Sequence, residues 1–369
     1  MFSIKKPTNI GVKFQGALKK NLLGVTQNSY VGAPSSLCAG CGHDSITAAI
    51  IAACFESSIP AWQVAKLSGI GCSSKTPAYF LPEAHGFNAV HGRMPSIATG
   101  ACLANNSMYY LGVSGDGDTG SIGLGQFAHA MRRQVPLLYI LENNGVYGLT
   151  KGQFSATADK GSLSAKSAKL AKAKKSTAKL DANPFSAIDP VLLAMDLGAT
   201  FVARSFSGDK EQLVPLIQAA MQHKGFALID IISPCVSFNN HADSTKSYTY
   251  VREHEQHWTA VDDFIPKAAS VDAQYAAGSK LDLRLQDGSY LCLQKTAADH
   301  DPCDKDKARE FVRACAAEGA IATGLFYIDT EAEDLHSLLG TPARPLRDFT
   351  FAELSPGSAA LEKLQAGLR

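Results

Sequence analysis

One carboxylate and one amide framed by glycines, and four cysteines spread over three segments, are the residues in this chain whose types and spacing can do chemistry. Gly115-Asp116-Gly117-Asp118 stands where one apolar run ends, and Asn143-Asn144-Gly145-Val146-Tyr147 follows the next. If the two runs are parallel strands joined by a helix, their C-terminal ends share one sheet edge, so Asp116 and Asn144 converge although they are distant in sequence. Mg²⁺ takes hard oxygen ligands in octahedral geometry, usually one or two side chains plus phosphate oxygens. The Asp116 carboxylate, the Asn144 amide oxygen and the Val146 carbonyl, with two diphosphate oxygens, meet that demand. Glycine at 115 and 117 admits phosphates close to the backbone, and a helix starting just beyond offers its N-terminus to them. Taken alone, Gly-Asp-Gly is only a tight turn.

Cys38-Ala39-Gly40-Cys41 brings two thiols onto one short loop. Cys72 ends Gly69-Ile70-Gly71-Cys72 just beyond an apolar run, and Cys235 follows Pro234 just beyond another, so both belong to the same sheet edge as Asp116 and Asn144. Four thiolates suit a [4Fe–4S] cluster or a structural zinc ion, and this spacing leaves both open. Cys54, Cys102, Cys292, Cys303 and Cys315 read as small buried hydrophobes. Nine cysteines in a chain read as intracellular argue against a disulfide framework.

The elements that must position these groups are legible from about residue 30 to 240, where helical stretches alternate with short β-branched runs, the pattern of an α/β domain on a parallel sheet. Strands are expected at Trp62–Leu67, Met108–Ser114, Leu137–Asn143, Thr200–Arg204 and Ala227–Ser233. Helices are expected at His43–Ala53, Ser96–Asn105, Gly123–Arg133 and Gly208–Gln222. We divide the chain into an N-terminal arm (1–30), the α/β domain (31–255) and a C-terminal extension (256–369). Residues 156–184, rich in Ala, Ser and Lys, form an insertion, read either as a solvated loop or helix or as a basic docking surface. The extension is expected to hold a hairpin around a two-residue Asp287-Gly288 turn, a helix near Asp304–Glu318, a strand near Ile321–Ile328 and a last helix after Pro356.

The chain of 369 residues, 46% hydrophobic and 19% charged, is long enough to bury such a sheet. A net charge of +1 gives no reason to expect nucleic acid or a membrane as partner. No apolar run approaches the roughly 20 residues of a membrane span. The lysine-rich N-terminus lacks the apolar core of a signal peptide, and without arginine it makes a poor transit peptide, so a cytoplasmic location is expected.

Gly-Asp-Gly followed one βα unit later by Asn resembles the thiamine diphosphate motif. With Cys38 to His43, Gly69 to Lys75, His91-Gly92-Arg93, Tyr147 to Gln153 and Ser233 to His241, most of residues 35–250 resembles the β subunits of 2-oxoacid:ferredoxin oxidoreductases. The resemblance implies a doubly wound, mostly parallel sheet of the thiamine-diphosphate-binding type, here with a small α+β extension. It implies Asp116, Asn144 and the Val146 carbonyl as Mg²⁺ ligands, Ile70, Gly71, Cys72, Ser73, Gly117, Asp118, Gly148 and Leu149 as cofactor contacts, and a [4Fe–4S] cluster on Cys38, Cys41, Cys72 and Cys235. Lys75, three residues past Cys72, is the candidate for the substrate carboxylate, and His43 and His91 for contacts to diphosphate or substrate.

The implied activity is oxidative decarboxylation of a 2-oxoacid with coenzyme A, in either direction, electrons passing through the cluster to ferredoxin. Tyr147 to Gln153 has the form of the 2-oxoglutarate branch, giving succinyl-CoA; pyruvate or another 2-oxoacid is the alternative substrate. The pyrimidine-binding domain with its activating glutamate is absent from this sequence, which implies a separate α subunit and an (αβ)₂ assembly. A reading of a different class is a zinc-stapled, catalytically silent binding subunit.

Overall fold

A sheet covered on both faces needs apolar side chains on alternate sides of each strand. In the computed structural model, which describes residues 19–164, 166–167, 182–267, 280–295 and 299–368, that alternation is realised. Leu137, Tyr139 and Leu141 enter one buried cluster with Phe226 and Leu228, while Leu138 and Ile140 enter the other with Ala227, Ile229 and Ile231.

The strands are β1 (Val64–Ser68), β2 (His85–Asn88), β3 (Tyr109–Gly115), β4 (Leu137–Asn143), β5 (Val146–Tyr147), β6 (Gln153–Phe154), β7 (Phe201–Phe206), β8 (Phe226–Ile232), β9 (Glu255–Ile265), β10 (Lys280–Arg284), β11 (Tyr290–Lys295) and β12 (Ile321–Ile328). Ten of them form one sheet in the order β10-β11-β9-β12-β7-β8-β4-β3-β1-β2, and β5 and β6 pair separately. Every pairing from β2 to β7 along that order is parallel. Helix α1 (Gly42–Glu56) and the Lys210–Gln222 helix cover one face; α2 (Met94–Ala104), α3 (Leu124–Arg132) and the Pro190–Asp196 and Lys305–Ala317 helices cover the other. The sheet is doubly wound, as expected.

The C-terminal residues enlarge this sheet. β12 runs antiparallel to β7 and parallel to β9, and the β10–β11 hairpin extends beyond β9. Leu283, Leu285, Leu291 and Leu293 join the same buried cluster as Ile46, Ile50 and Leu213. The hairpin turn differs from the expected two-residue form: Leu285 N donates to Ser289 O at 2.8 Å, enclosing Gln286, Asp287 and Gly288. Asp287 Oδ1 accepts from Ser289 N and Oγ, and Gly288 takes a left-handed φ of +87°, the geometry of a three-residue loop.

Ala61–Gln63 is a 3₁₀ turn, so β1 starts at Val64 and not at Trp62. Strand β2, exposed throughout at the sheet edge, carries no apolar alternation from which to read it. From the N-terminal arm, Asn21 donates to Tyr30 Oη, which donates to Ile59 O at 2.8 Å. Most of the lysine-rich insertion, 165 and 168–181, and residues 1–18 of the arm lie outside the described residues. Cys54, Cys102, Cys292 and Cys315 are buried as expected, whereas Cys303 is exposed, in the loop before the Lys305–Ala317 helix. Among the described residues no helix is long and apolar enough to cross a membrane.

Candidate functional site

Strands β1, β3, β4 and β8 all end on one edge of the sheet, and there the sequence-predicted residues gather. A cavity of about 110 Å³ at the ends of β1, β3 and β4 is lined by Asp116, Asn144 and Val146, by Ile70, Gly71, Cys72 and Ser73, by Gly117, Asp118, Gly148 and Leu149, and by His43 and His91. Lys75, Cys38, Cys41 and Cys235 stand outside its lining.

Between β3 and α3 the chain makes a widened, π-type turn at Gly117–Ile122, a local geometry frequent at functional sites. Asp116 precedes it and is buried. Its Oδ2 accepts from Gly145 N at 3.0 Å, from Thr157 Oγ1 at 2.5 Å and from Ser155 Oγ. Burial pushes the Asp116 carboxyl above its usual range, against the lowering effect of the Ser155 and Thr157 hydroxyls and the backbone amides of Asp116 and Asn144. Asn144 folds its side chain back so that Oδ1 accepts from Val146 N at 2.9 Å, and Asn239 Nδ2 donates to its carbonyl at 2.8 Å. A buried carboxylate and an amide oxygen with a second lone pair, lining one cavity, are a hard-oxygen donor set that fits Mg²⁺.

Asp118, which also lines the cavity, braces the site. Oδ1 accepts from Gly92 N at 2.7 Å, from His91 Nδ1 and from Ile70 N at 3.4 Å, and Oδ2 accepts from Ser114 Oγ at 2.7 Å. One buried carboxylate thereby ties together the ends of β1 and β3 and the His91-Gly92 turn. With Nδ1 held by Asp118, the other ring nitrogen of His91 is the one left to meet a ligand. His91 also meets the Tyr147 ring edge-on, and Tyr147 Oη donates to Gly117 O at 3.0 Å.

His43 is buried, its Nδ1 2.6 Å from Ser233 Oγ and 3.5 Å from Glu142 Oε2. Burial pushes the imidazole down to about 4 and the Glu142 carboxyl well above its usual range. Thr76 Oγ1 lies within hydrogen-bond distance of both Glu142 oxygens.

The four cysteines of the sequence pattern come together on three loops. Gly42 N donates to Pro234 O at 3.3 Å, tying the Cys38–Cys41 loop to the segment that carries Cys235, and Ser237 Oγ donates to Cys38 Sγ at 3.4 Å. A Cβ built on Gly148 would lie 3.4 Å from Cys72 Sγ and 3.6 Å from Cys235 Sγ. Burial raises the thiols of Cys41, to about 12, of Cys72 and of Cys235, and their negative charges raise one another further: Cys235 acts on Cys41 and Cys72, and Cys38 on Cys72 and Cys235. Thiols that burial and one another's charge keep protonated here would lose their protons to a cationic metal centre, which supplies the countercharge. Among the described residues no group of three or more His, Cys, Asp or Glu side chains is already arranged to hold a metal ion.

Lys75 is half-buried, and its charge acts on Cys72, lowering that thiol against the larger effect of burial. Its ammonium has no ion-pair partner among the described residues. Three contributors escaped sequence reading. Ser155 and Thr157 are ordinary loop residues until β6 folds them onto Asp116. Lys66, on β1, is buried, with Nζ donating to the carbonyls of Pro77, Phe80 and Leu81 at 2.7–2.9 Å.

Residues 69–231 match the family model described as thiamine pyrophosphate enzyme, C-terminal TPP binding domain. The chain is 35% identical over 276 residues to the 2-oxoacid:ferredoxin oxidoreductase subunit beta of Saccharolobus solfataricus, covering 72% of this chain and 86% of that one. It is 41% identical over 205 residues to the 2-oxoglutarate oxidoreductase subunit KorB of Mycobacterium tuberculosis, covering 55% of this chain and 51% of that one. A solved structure of 2-oxoglutarate:ferredoxin oxidoreductase from Magnetococcus marinus, with 2-oxoglutarate, coenzyme A and succinyl-CoA bound, superposes with a TM-score of 0.69 at 26% identity, over 96% of this chain and 99% of that one.

Proposed function

Because the chain belongs to the family of 2-oxoacid:ferredoxin oxidoreductase β subunits, we propose that it serves a 2-oxoglutarate:ferredoxin oxidoreductase of the cytoplasm, forming succinyl-CoA and CO₂ from 2-oxoglutarate and coenzyme A. The substrate assignment draws support from the KorB relatives and from the bound molecules of the Magnetococcus enzyme. A single observation carries the site: Gly148 lines the cavity that holds Asp116 and Asn144 and also abuts the sulfurs of Cys72 and Cys235.

In this reading Asp116, Asn144 and the Val146 carbonyl hold Mg²⁺ on the diphosphate, with Ile70, Gly71, Ser73, Gly117 and Leu149 walling the cofactor. Cys38, Cys41, Cys72 and Cys235 hold a [4Fe–4S] cluster. Thiamine diphosphate supplies the nucleophilic carbon and electron sink for decarboxylation, and the cluster supplies a path for single electrons toward ferredoxin. The chain's own residues bind and orient. His91, fixed by Asp118, presents its second nitrogen to the cavity; buried His43 stays neutral beside it; Lys75 offers a compact charge to the substrate carboxylate. The pyrimidine-binding domain comes from an α subunit in an (αβ)₂ assembly, without which this chain is inactive.

The test is anaerobic purification with the partner subunit, metal and thiamine analysis, and electron paramagnetic resonance after adding 2-oxoglutarate and coenzyme A. We expect about four iron atoms per chain and a substrate-induced radical or reduced-cluster signal. Signal from pyruvate alone would change the substrate; zinc without iron or thiamine would overturn the function.

A further inference from the structure

Asp116 is held most closely at one oxygen. Three donors reach Oδ2: the backbone N–H of Gly145 at 3.0 Å and the hydroxyls of Thr157, at 2.5 Å, and Ser155. The backbone amides of Asp116 and Asn144 also stabilise the charged carboxylate, and Asp116 lines the cavity. The two hydroxyls arrive by a specific route. From Gly145 the chain runs out along β5, returns along β6, and Ser155 N donates to Gly145 O at 3.2 Å, so the residues just past β6 are folded back against the β4 end. Thr157 and Ser155 are both buried there.

Thr157 Oγ1 also lies 2.8 Å from Asn143 Oδ1, and a hydroxyl has one proton to give. The charged acceptor wins, because a hydrogen bond to a carboxylate is about twice as strong as one to a neutral amide. An aspartate loaded in this way cannot rotate about its terminal bond without losing three hydrogen bonds at once. Nor does Oδ2 have a lone pair left for a cation.

We propose that Ser155 and Thr157 are positioning residues that, by their hydrogen bonds to Oδ2, fix the orientation in which the Asp116 carboxylate meets the cavity. The inference rests on the assignment of Asp116 as a Mg²⁺ ligand and adds to it the two side chains that hold that ligand in place. Both lie beyond Tyr147–Gln153, the segment whose form pointed to the 2-oxoglutarate branch.

The test is titration of Mg²⁺ at fixed thiamine diphosphate, followed by calorimetry on the full-length chain in its native complex. Thr157→Val removes the hydroxyl and keeps the shape; it should weaken the apparent Mg²⁺ affinity about tenfold, and Thr157→Ser should recover it to within about threefold. Ser155→Ala puts the same question to the second hydroxyl and carries the test if Thr157→Val does not fold. Wild-type affinity in Thr157→Val and Ser155→Ala overturns the proposal. So does equal weakening in Thr157→Val and Thr157→Ser, which assigns the effect to the shape of the threonine and not to its proton. Asp116→Asn separates the two levels: if it binds Mg²⁺ as tightly as the wild type, the ligand assignment itself fails, and the positioning role with it.

Discussion

The sulfurs of Cys72 and Cys235 both stand over Gly148, 3.4 Å and 3.6 Å from where a Cβ on that residue would be. These are ordinary contact distances, so Gly148→Ala fits with little adjustment. Gly148→Val adds two γ carbons to a Cβ that already touches both sulfurs, and we expect one sulfur to be displaced. We expect Gly148→Ala to keep its iron and Gly148→Val to lose more than half of it while staying folded, read by iron per chain and visible absorbance after anaerobic purification. Full iron in Gly148→Val would mean that the cluster is not built on this pair.

A buried arginine between two carboxylates ties part of the stability to pH. Arg204 donates from Nε to Asp230 and from Nη2 to Asp189, each at 2.7 Å, in a largely buried position. Burial alone would raise Asp189, but the guanidinium and the amides of Leu192 and Val191 outweigh it and hold its carboxyl below the usual range. A depressed carboxylate stabilises the fold above its unfolded pKa of about 3.9 and loses that contribution as the pH falls through its folded value. Asp189→Asn, which can still cap the Pro190–Asp196 helix, should therefore cost about 1–3 kcal/mol at pH 6. Its urea midpoint should approach that of the wild type as the pH is lowered below about 4. A gap that stays constant from pH 6 to pH 3 would show that the ionised form of Asp189 adds nothing.

The sheet edge was legible in the sequence because its signals are tied to residue type. A parallel βαβ unit forces Asp116 and Asn144 to one end, and glycine beside each is needed whatever the rest of the chain does. The alternating leucines of β10 and β11 foretold a buried hairpin face, but the spacing of leucines says nothing of which core that face joins; hence an expected appendage proved to be the end of the main sheet. Asp118 read as a cofactor contact, and it lines the cavity, but its bracing role was hidden: two of its four partners are the backbone amides of Gly92 and Ile70, which carry no sequence signature. Lys66 was hidden for a similar reason: a lysine inside an apolar run gives no hint that three carbonyls wait for it.

The Asp118 tie predicts an intolerant glycine. A Cβ on Gly69 would fall 1.8 Å from Asp118 Oδ2 and 2.6 Å from its Cγ, so the carboxylate would have to leave. Leaving breaks its bonds to Gly92 N, Ser114 and His91 together and frees the turn that holds His91 at the cavity. Gly69→Ala should cost about 3 kcal/mol or more, well beyond a surface substitution, and should weaken thiamine diphosphate binding at least tenfold. Chemical denaturation and calorimetry read the two effects; a stable variant with unchanged binding would show that Asp118 can relocate without consequence.

Lys66 supports the turn on which Cys72 and Lys75 are carried. The three N–H bonds of its ammonium are matched by three carbonyls at the far end of Ser73–Tyr79, at Pro77, Phe80 and Leu81, and the charge also lies 5.3 Å from the centre of the Phe80 ring. Burial pushes its pKa down to about 8, which leaves it mainly protonated at neutral pH, with a donor for each acceptor. Lys66→Met fills much of the same space but abandons all three carbonyls in a water-poor interior. The cost should be about 3 kcal/mol. Lys66→Arg should not restore it, because a planar fork cannot aim three bonds as a tetrahedral ammonium does. The same loss of support should reach the metal centre: in Lys66→Met the cluster should bleach several times faster in air than in the wild type. Wild-type bleaching in a variant that is clearly destabilised would confine Lys66 to the fold and separate the turn it holds from the fate of Cys72.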